Sequence, residues 1–118
     1  MEKMDKETMT NISFQLILHA GNARSLCMES ISLAKTGKYS EAQEKLREAE
    51  VELETAHGTQ TNLIFTNSSG ETEGIIPDIL MTHAQDHFIS AMICMDMGRE
   101  MVSILEEVNT LKELVKEN

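Results

Sequence analysis

Tryptophan is absent from this chain of 118 residues, and aromatic side chains make up only 3% of it. A core so short of rings must be filled by Leu, Ile, Ala and the nine Met, which suits helices better than a β-sandwich. Glycine and proline are scarce too, at six and one. Strands joined every 8–12 residues or so (roughly the spacing of a sandwich) would need more turn residues than that. Positive charge is in short supply: ten Lys and Arg stand against twenty Asp and Glu, a formal charge of −10. With no basic block, phosphate-backbone binding has no electrostatic footprint, and nucleic acid drops out as an expected partner. A basic protein surface is the natural partner instead, because opposite fields raise encounter rates. Long apolar runs are missing as well. Nothing approaches the roughly 20 residues that span a bilayer, and the start MEKMDKETMT is charged, unlike a secretory signal. Two cysteines, Cys27 and Cys94, are too few for a disulfide framework and read as reduced core thiols. The expectation is a soluble, cytoplasmic, all-α protein with no direct membrane insertion, a single domain over residues 1–118.

Apolar residues at 41% and charged residues at 25% are ordinary globular usage. The few breakers divide the chain. Lys35-Thr36-Gly37-Lys38 closes one segment, and Asn67-Ser68-Ser69-Gly70 through Gly74 and Pro77 separates a second from a third. Helices are expected at about 8–36, 40–67 and 78–115. The first carries Met9, Ile12, Leu16, Ala20, Ala23, Cys27, Ile31 and Ala34 on one stripe, with Gly37 as its C-terminal cap. Gly21 lies inside it, and close helix packing is the expected reason. The second opens with the capping-box pattern Ser40-Glu41-Ala42-Gln43 and carries Ala42, Leu46, Ala49, Leu53, Ala56, Gln60 and Leu63. Gln60 interrupts an apolar line, so its amide must satisfy a helix end or line a site.

The third segment, capped by Asp78, is the most informative. One seam reads Leu80, Ala84, His87, Ala91, Cys94, Gly98, Met101, Leu105 and Val108. A second reads Ile79, Asp86 and Ile93, interleaved with His83, Ser90, Met97, Ile104 and Leu111. A lone three-helix bundle needs only one apolar stripe on each helix. Two stripes imply that the second meets another subunit with coiled-coil-like geometry, so a homo-oligomer is expected with its third helices at the symmetry axis.

Within this helix lies His83-Ala84-Gln85-Asp86-His87. His83 and His87 share a face one turn apart, and Asp86 points into the second seam. Three readings compete. Both histidines are hydrogen-bonded interface residues and Asp86 fixes register, as polar seam residues do. Alternatively two His at this spacing bind zinc, although Ala84 stands where a metalloprotease has its Glu and only folding would bring His57 in as a third ligand. The third reading is nucleophilic. Imidazole, with an ordinary pKa of about 6.5, is largely unprotonated near neutral pH and can accept a phosphoryl group and hand it on without a strong base.

The span Leu80-Met81-Thr82-His83-Ala84-Gln85-Asp86-His87 resembles the active-site signature of the lactose/cellobiose-type IIA components of the bacterial phosphotransferase system. Ala20-Gly21-Asn22-Ala23-Arg24-Ser25, Lys38 to Ala49, and Ala56-His57-Gly58-Thr59-Gln60-Thr61 resemble further stretches of that family, so the likeness covers nearly the whole chain. It implies a three-helix antiparallel bundle protomer that trimerises into a nine-helix bundle. It also implies that His83 accepts a phosphoryl group from HPr and passes it to a cysteine of the IIB component, during uptake of a cellobiose-, chitobiose- or lactose-type sugar. Asp86 is implied to lie at the trimer axis near a divalent cation. An all-oxygen set suits Mg²⁺, one per trimer, which would relieve the repulsion among three carboxylates.

His87 is expected to be a buried, hydrogen-bonded histidine or a direct helper of His83. Gln85 is expected to assist only across a subunit boundary. His57 and Gln60 are candidates for the pocket wall, and His19 is expected to be incidental. Leu80, Phe88 and nearby Met side chains are candidates for a partner-facing surface, Met being adaptable enough for two partners. A helical oligomeric adaptor with no chemistry, its histidines buried in interfaces, is the alternative.

Overall fold

The computed structural model describes residues 5–69 and 76–117. Three helices account for almost all of them: α1 (Lys6–Lys35), α2 (Tyr39–Ser69) and α3 (Ile79–Glu117). Each helix end follows from local chemistry. Asp5 caps α1, its carboxylate accepting from the Thr8 N–H at 2.7 Å. At the other end Gly37 takes φ +81°, which costs glycine little, and lets two carbonyls find donors. The Lys38 N–H donates to Leu33 O at 3.0 Å and the Gly37 N–H to Ala34 O at 3.1 Å, the Schellman arrangement. Asp78 starts α3, accepting from the Met81 N–H at 2.8 Å.

The Ser40 capping box does not form. Lys38 O already accepts from the Ala42 N–H at 2.9 Å, so α2 begins directly after the turn and Ser40 falls inside its first turn. The link expected from Asn67 is also shorter than the sequence suggests: α2 runs on through Ser69, and residues 70–75 lie outside the described part.

Cross-helix contacts fix the topology. Going up α1, residues 19 and 29 meet residues 52 and 45 of α2, so these helices are antiparallel. Gln60 meets Gln85 and Glu50 meets Arg99, so α2 and α3 are antiparallel too. Hence α1 and α3 run parallel, with Ser13 beside Met81 and Cys27 beside Cys94.

The core stripe of α3 is Met81, Ala84, Phe88, Ala91, Met95, Gly98 and Val102. This corrects the expected first seam, which kept Ala84, Ala91 and Gly98 but took the wrong flank. Those small residues recur every seven positions, and both flanks carry apolar residues. Met81, Phe88, Met95 and Val102 turn inward, while Leu80, Cys94 and Leu105 are only half-buried. Large and small residues thus alternate along the stripe and interdigitate with Leu16, Ala20, Ala23 and Cys27 of α1. Full burial of Phe88 or Met81 contributes roughly 1.5–3 kcal/mol each. Two buried serines join the α1 stripe: Ser30 donates to Ala42 O at 2.7 Å and Ser13 to Met9 O at 2.8 Å.

Among the described glycines, Gly98 makes the close approach. A Cβ there would lie 2.2 Å from Cys27 Sγ, whereas one at Gly21 would meet nothing within 4 Å. The close helix packing expected at Gly21 is therefore found at Gly98. At the far end Tyr39 Oη donates to Leu105 O at 3.1 Å, and Asn109 Nδ2 donates to Ala34 O at 3.1 Å and to Tyr39 Oη, tying all three helices together. His19 is not incidental: its Nδ1 lies 2.6 Å from Glu52 Oε2 in a partly buried pair joining α1 to α2.

The second stripe of α3 is open to solvent in the single chain. Ile79 is 89% exposed, Met97 and Leu111 each 61%, with Ile93 and Ile104 likewise exposed. Among the described residues no helix is long and apolar enough to cross a membrane.

Candidate functional site

His83 lies one turn inside α3, where the Asp78 cap fixes the start of the helix. The four-residue spacing stacks His83 and His87 on one face. Their Nε2 atoms are 3.0 Å apart and the rings meet edge to face, with centroids 4.5 Å apart. A contact of that length between two imidazoles requires one N–H donor and one lone-pair acceptor. His83 is exposed and His87 half-buried, so the pair is reachable from solvent.

On its other side His83 lines a cleft of about 320 Å³ with Pro77, Asp78, Ile79, Thr82 and Asp86. Two carboxylates thus border the imidazole. Thr82 donates its hydroxyl back to Asp78 O at 3.0 Å, a helix-internal bond.

Gln60 finds its partner across the helix interface, Nε2 donating to Gln85 Oε1 at 2.5 Å, and Gln85 Nε2 lies 3.6 Å from Met81 Sδ. Gln85 is therefore held by α2 of its own chain and makes no hydrogen bond to His83 among the described residues. His57 is exposed, its ring centroid 5.9 Å from that of Phe88 at a tilt of 43°. It stands on α2 beside Phe88 and makes no hydrogen bond or ring contact with the histidine pair among the described residues. Phe88 itself is 1% exposed and drops out as a partner-facing residue; Met81 is equally buried. Met92 and Met97 remain exposed on α3.

Asp86 is exposed on the second stripe between Ile79 and Ile93. Among the described residues of one chain, no group of three or more His, Cys, Asp or Glu lies where it could hold a metal ion. That rules out the zinc arrangement of His83, His87 and His57 within the described residues. Cys27 and Cys94 are free thiols, Cys27 buried with its S–H donating to Cys94 O at 3.3 Å. Burial, and then the neighbouring Cys94, push the Cys27 thiol up to about 12.

Residues 11–106 match the family model of the phosphotransferase system lactose/cellobiose specific IIA subunit. The chain belongs to that family. It is 45% identical over 102 residues to the lichenan-specific phosphotransferase enzyme IIA component of Bacillus subtilis, covering 86% of this chain and 91% of the relative. To the cellobiose-specific EIIA component of Lactococcus lactis it is 35% identical over 82% of each chain. Among solved structures, the cellobiose-specific enzyme IIA of Bacillus anthracis superposes with a TM-score of 0.82 at 36% identity, covering 91% of this chain and 94% of that one. IIA(chitobiose) in its complex with HPr, from the Escherichia coli N,N'-diacetylchitobiose branch, gives 0.74 at 27% identity over 86% and 96%. Family membership makes the chain a phosphoryl carrier of the sugar phosphotransferase system, and the all-α, three-helix fold is the family's own.

Sequence reasoning missed two features of the packing around α1. One is the His19–Glu52 pair, a contact between residues 33 apart that no local pattern announces. The other is Arg24, whose surroundings become visible only once α1 and α3 are docked.

Proposed function

We propose that His83 is the phosphorylated residue: it accepts a phosphoryl group from phospho-HPr and passes it to a IIB cysteine, serving uptake of a cellobiose-, chitobiose- or lactose-type sugar. The observation that carries this reading is the exposed His83 ring with its Nε2 held 3.0 Å from Nε2 of His87.

In this mechanism His87 donates its Nε2–H to His83, so His83 keeps its own proton on Nδ1 and a lone pair at Nε2. Phosphorus of the donor phosphohistidine approaches that lone pair in line. A new N–P bond forms as the donor's N–P bond breaks, and the donor ring recovers its electron pair. The group moves as PO₃⁻, so no proton has to cross between the rings. His87 N–H then turns to a phosphoryl oxygen. In the return step a IIB thiolate attacks phosphorus, an S–P bond forms and His83 regains its lone pair. Positioning and charge neutralisation are the main demands of such transfers. The chain need never touch the sugar. HPr as donor is supported by the likeness to IIA(chitobiose), whose solution structure is of a complex with HPr.

The exposed stripe of Ile79, Ile93, Met97, Ile104 and Leu111 supports the second proposal, a homotrimer joined along α3. Asp86 lies on that stripe, and three copies would gather three carboxylates. One chain supplies a single carboxylate there, so a Mg²⁺ would be held only between copies, by oxygen ligands of the kind that ion prefers.

The test is direct. Phosphoenolpyruvate, Enzyme I and HPr should add the mass of one phosphoryl group to the wild-type chain, acid-labile and base-stable, and none to His83→Ala. A wild-type chain that stays unmodified would leave the non-catalytic adaptor standing.

A further inference from the structure

A groove of about 880 Å³ runs along the outer face of α1, lined by Gly21, Arg24 and Ser25 among others, and His87 of α3 borders it. His87 in turn touches His83, which lines the neighbouring cleft, so His87 stands between the groove and that cleft. The register of the parallel helices, set by Ser13 beside Met81 and Cys27 beside Cys94, brings His87 level with Ala20, one turn below Arg24, and His83 about one turn lower still. Helical side chains lean toward the N-terminus of their own helix, so the stem of Arg24 leans over Gly21 in the direction of His87. Gly21 has no side chain, and the space above it is clear to 4 Å. A glycine inside a helix costs about 1 kcal/mol relative to Ala, and nothing within the chain's own packing requires it.

Charge gives the groove a use. Transfer of PO₃⁻ adds a negative charge at His83, carried on the phosphoryl oxygens, in a chain already at −10, with Asp78 and Asp86 lining the adjoining cleft. A cation must offset it. Of the three arginines, Arg47 pairs with Glu44, and Arg99 with Glu50 and Asp96. Of the arginines, Arg24 alone has no carboxylate partner among the described residues, and Lys45, the other cation lining the groove, is paired with Glu29 and Glu48. Its planar fork matches phosphoryl oxygens in pairs, which a lysine cannot do.

We infer that Arg24 binds and neutralises the phosphoryl group carried by His83, reaching it along the groove cleared by Gly21; this rests on the carrier reading above. Arg24 makes or breaks no bond. It stabilises the phosphorylated state after PO₃⁻ has moved from the donor nitrogen to His83.

The test uses the full chain with phosphoenolpyruvate, Enzyme I and HPr, comparing wild type, Arg24→Gln, Arg24→Lys and His83→Ala. Arg24→Gln should fold and assemble like wild type by circular dichroism and sedimentation. It should shift the phosphoryl equilibrium toward phospho-HPr by about tenfold, the weight of one charged hydrogen bond. The ³¹P resonance of phospho-His83 should titrate at higher pH without the guanidinium, and Arg24→Lys should restore part of both effects. If wild type is phosphorylated but Arg24→Gln matches it in equilibrium and titration, this inference falls and the carrier reading survives. If only the HPr concentration dependence changes, Arg24 is a docking residue and the inference falls as well. If wild type is never phosphorylated, the carrier reading fails first and takes the inference with it.

Discussion

Replacing Gly98 by Ala tests the packing between α1 and α3 most sharply. The added Cβ would sit 2.2 Å from Cys27 Sγ, with Ile31 Cδ1 at 3.8 Å. Sulfur at that distance is far inside contact, so Cys27 must rotate or the helices must part. Cys27 ends in one short side chain whose S–H donates to Cys94 O, so rotation also breaks that bond. Overpacking of this kind costs about 1–3 kcal/mol, and replacing a helical glycine by alanine returns up to about 1 kcal/mol. The net expectation is a loss of roughly 1–2 kcal/mol, lowering Tm by several degrees. Gly21→Ala meets nothing within 4 Å, so the same substitution there should raise stability by up to about 1 kcal/mol. Urea unfolding followed at 222 nm, at fixed chain concentration because association contributes, measures both. In a Cys27→Ala background the clash disappears, and Gly98→Ala should become neutral or stabilising. If Gly98→Ala raises stability in the wild-type background, or costs the same with and without Cys27, the close approach is not what Gly98 provides.

His87→Ala should slow phosphorylation of His83 by about ten- to a hundredfold in a stopped-flow transfer assay, and His87→Gln, which keeps an N–H donor, should recover part of it; equal rates for all three would remove His87 from the mechanism. Asp86→Leu should leave the oligomer intact or tighten it, because an apolar residue replaces a charge on the exposed stripe beside Ile79 and Ile93; dissociation in sedimentation would contradict that placement. The raised pKa of Cys27 means that the folded state holds its proton after the unfolded chain has lost it. Stability should therefore be unaffected by this thiol below about pH 9 and should decline as pH rises from there toward 12. Cys27→Ala should lack that part of the alkaline decline; identical pH profiles would count against it. Depression of the Asp5 carboxyl by its bond from the Thr8 N–H has the opposite sense, its stabilisation present above the ordinary carboxylate range and lost as pH falls below it, checked by comparing Asp5→Asn in acid.

What the sequence made legible was local. Asp78 and Gly37 announced their caps because each acts on amides or carbonyls within a few residues. The His83–His87 contact followed from helical spacing alone. The α3 core stripe came out half right because Ala84, Ala91 and Gly98 have apolar neighbours on both flanks, and only the docked position of α1 chooses Phe88 over His87 and Met95 over Cys94. Ser40 misled because a capping-box pattern has force only where the helix start lacks another arrangement, and the turn at Gly37 leads straight into α2. Gly21 and Gly98 look alike in sequence. Their difference depends on which face of α1 meets α3. Pairs such as Gln60–Gln85 and His19–Glu52 join residues distant in sequence and become visible only in three dimensions.

The measurement closest to the centre of this account is ³¹P and ¹⁵N NMR of the chain after incubation with phosphoenolpyruvate, Enzyme I and HPr. A single phosphohistidine, assigned to Nε2 of residue 83 and lost in His83→Ala, is the expected result. A phosphoryl group on His57, His19 or His87, or none at all, would contradict it.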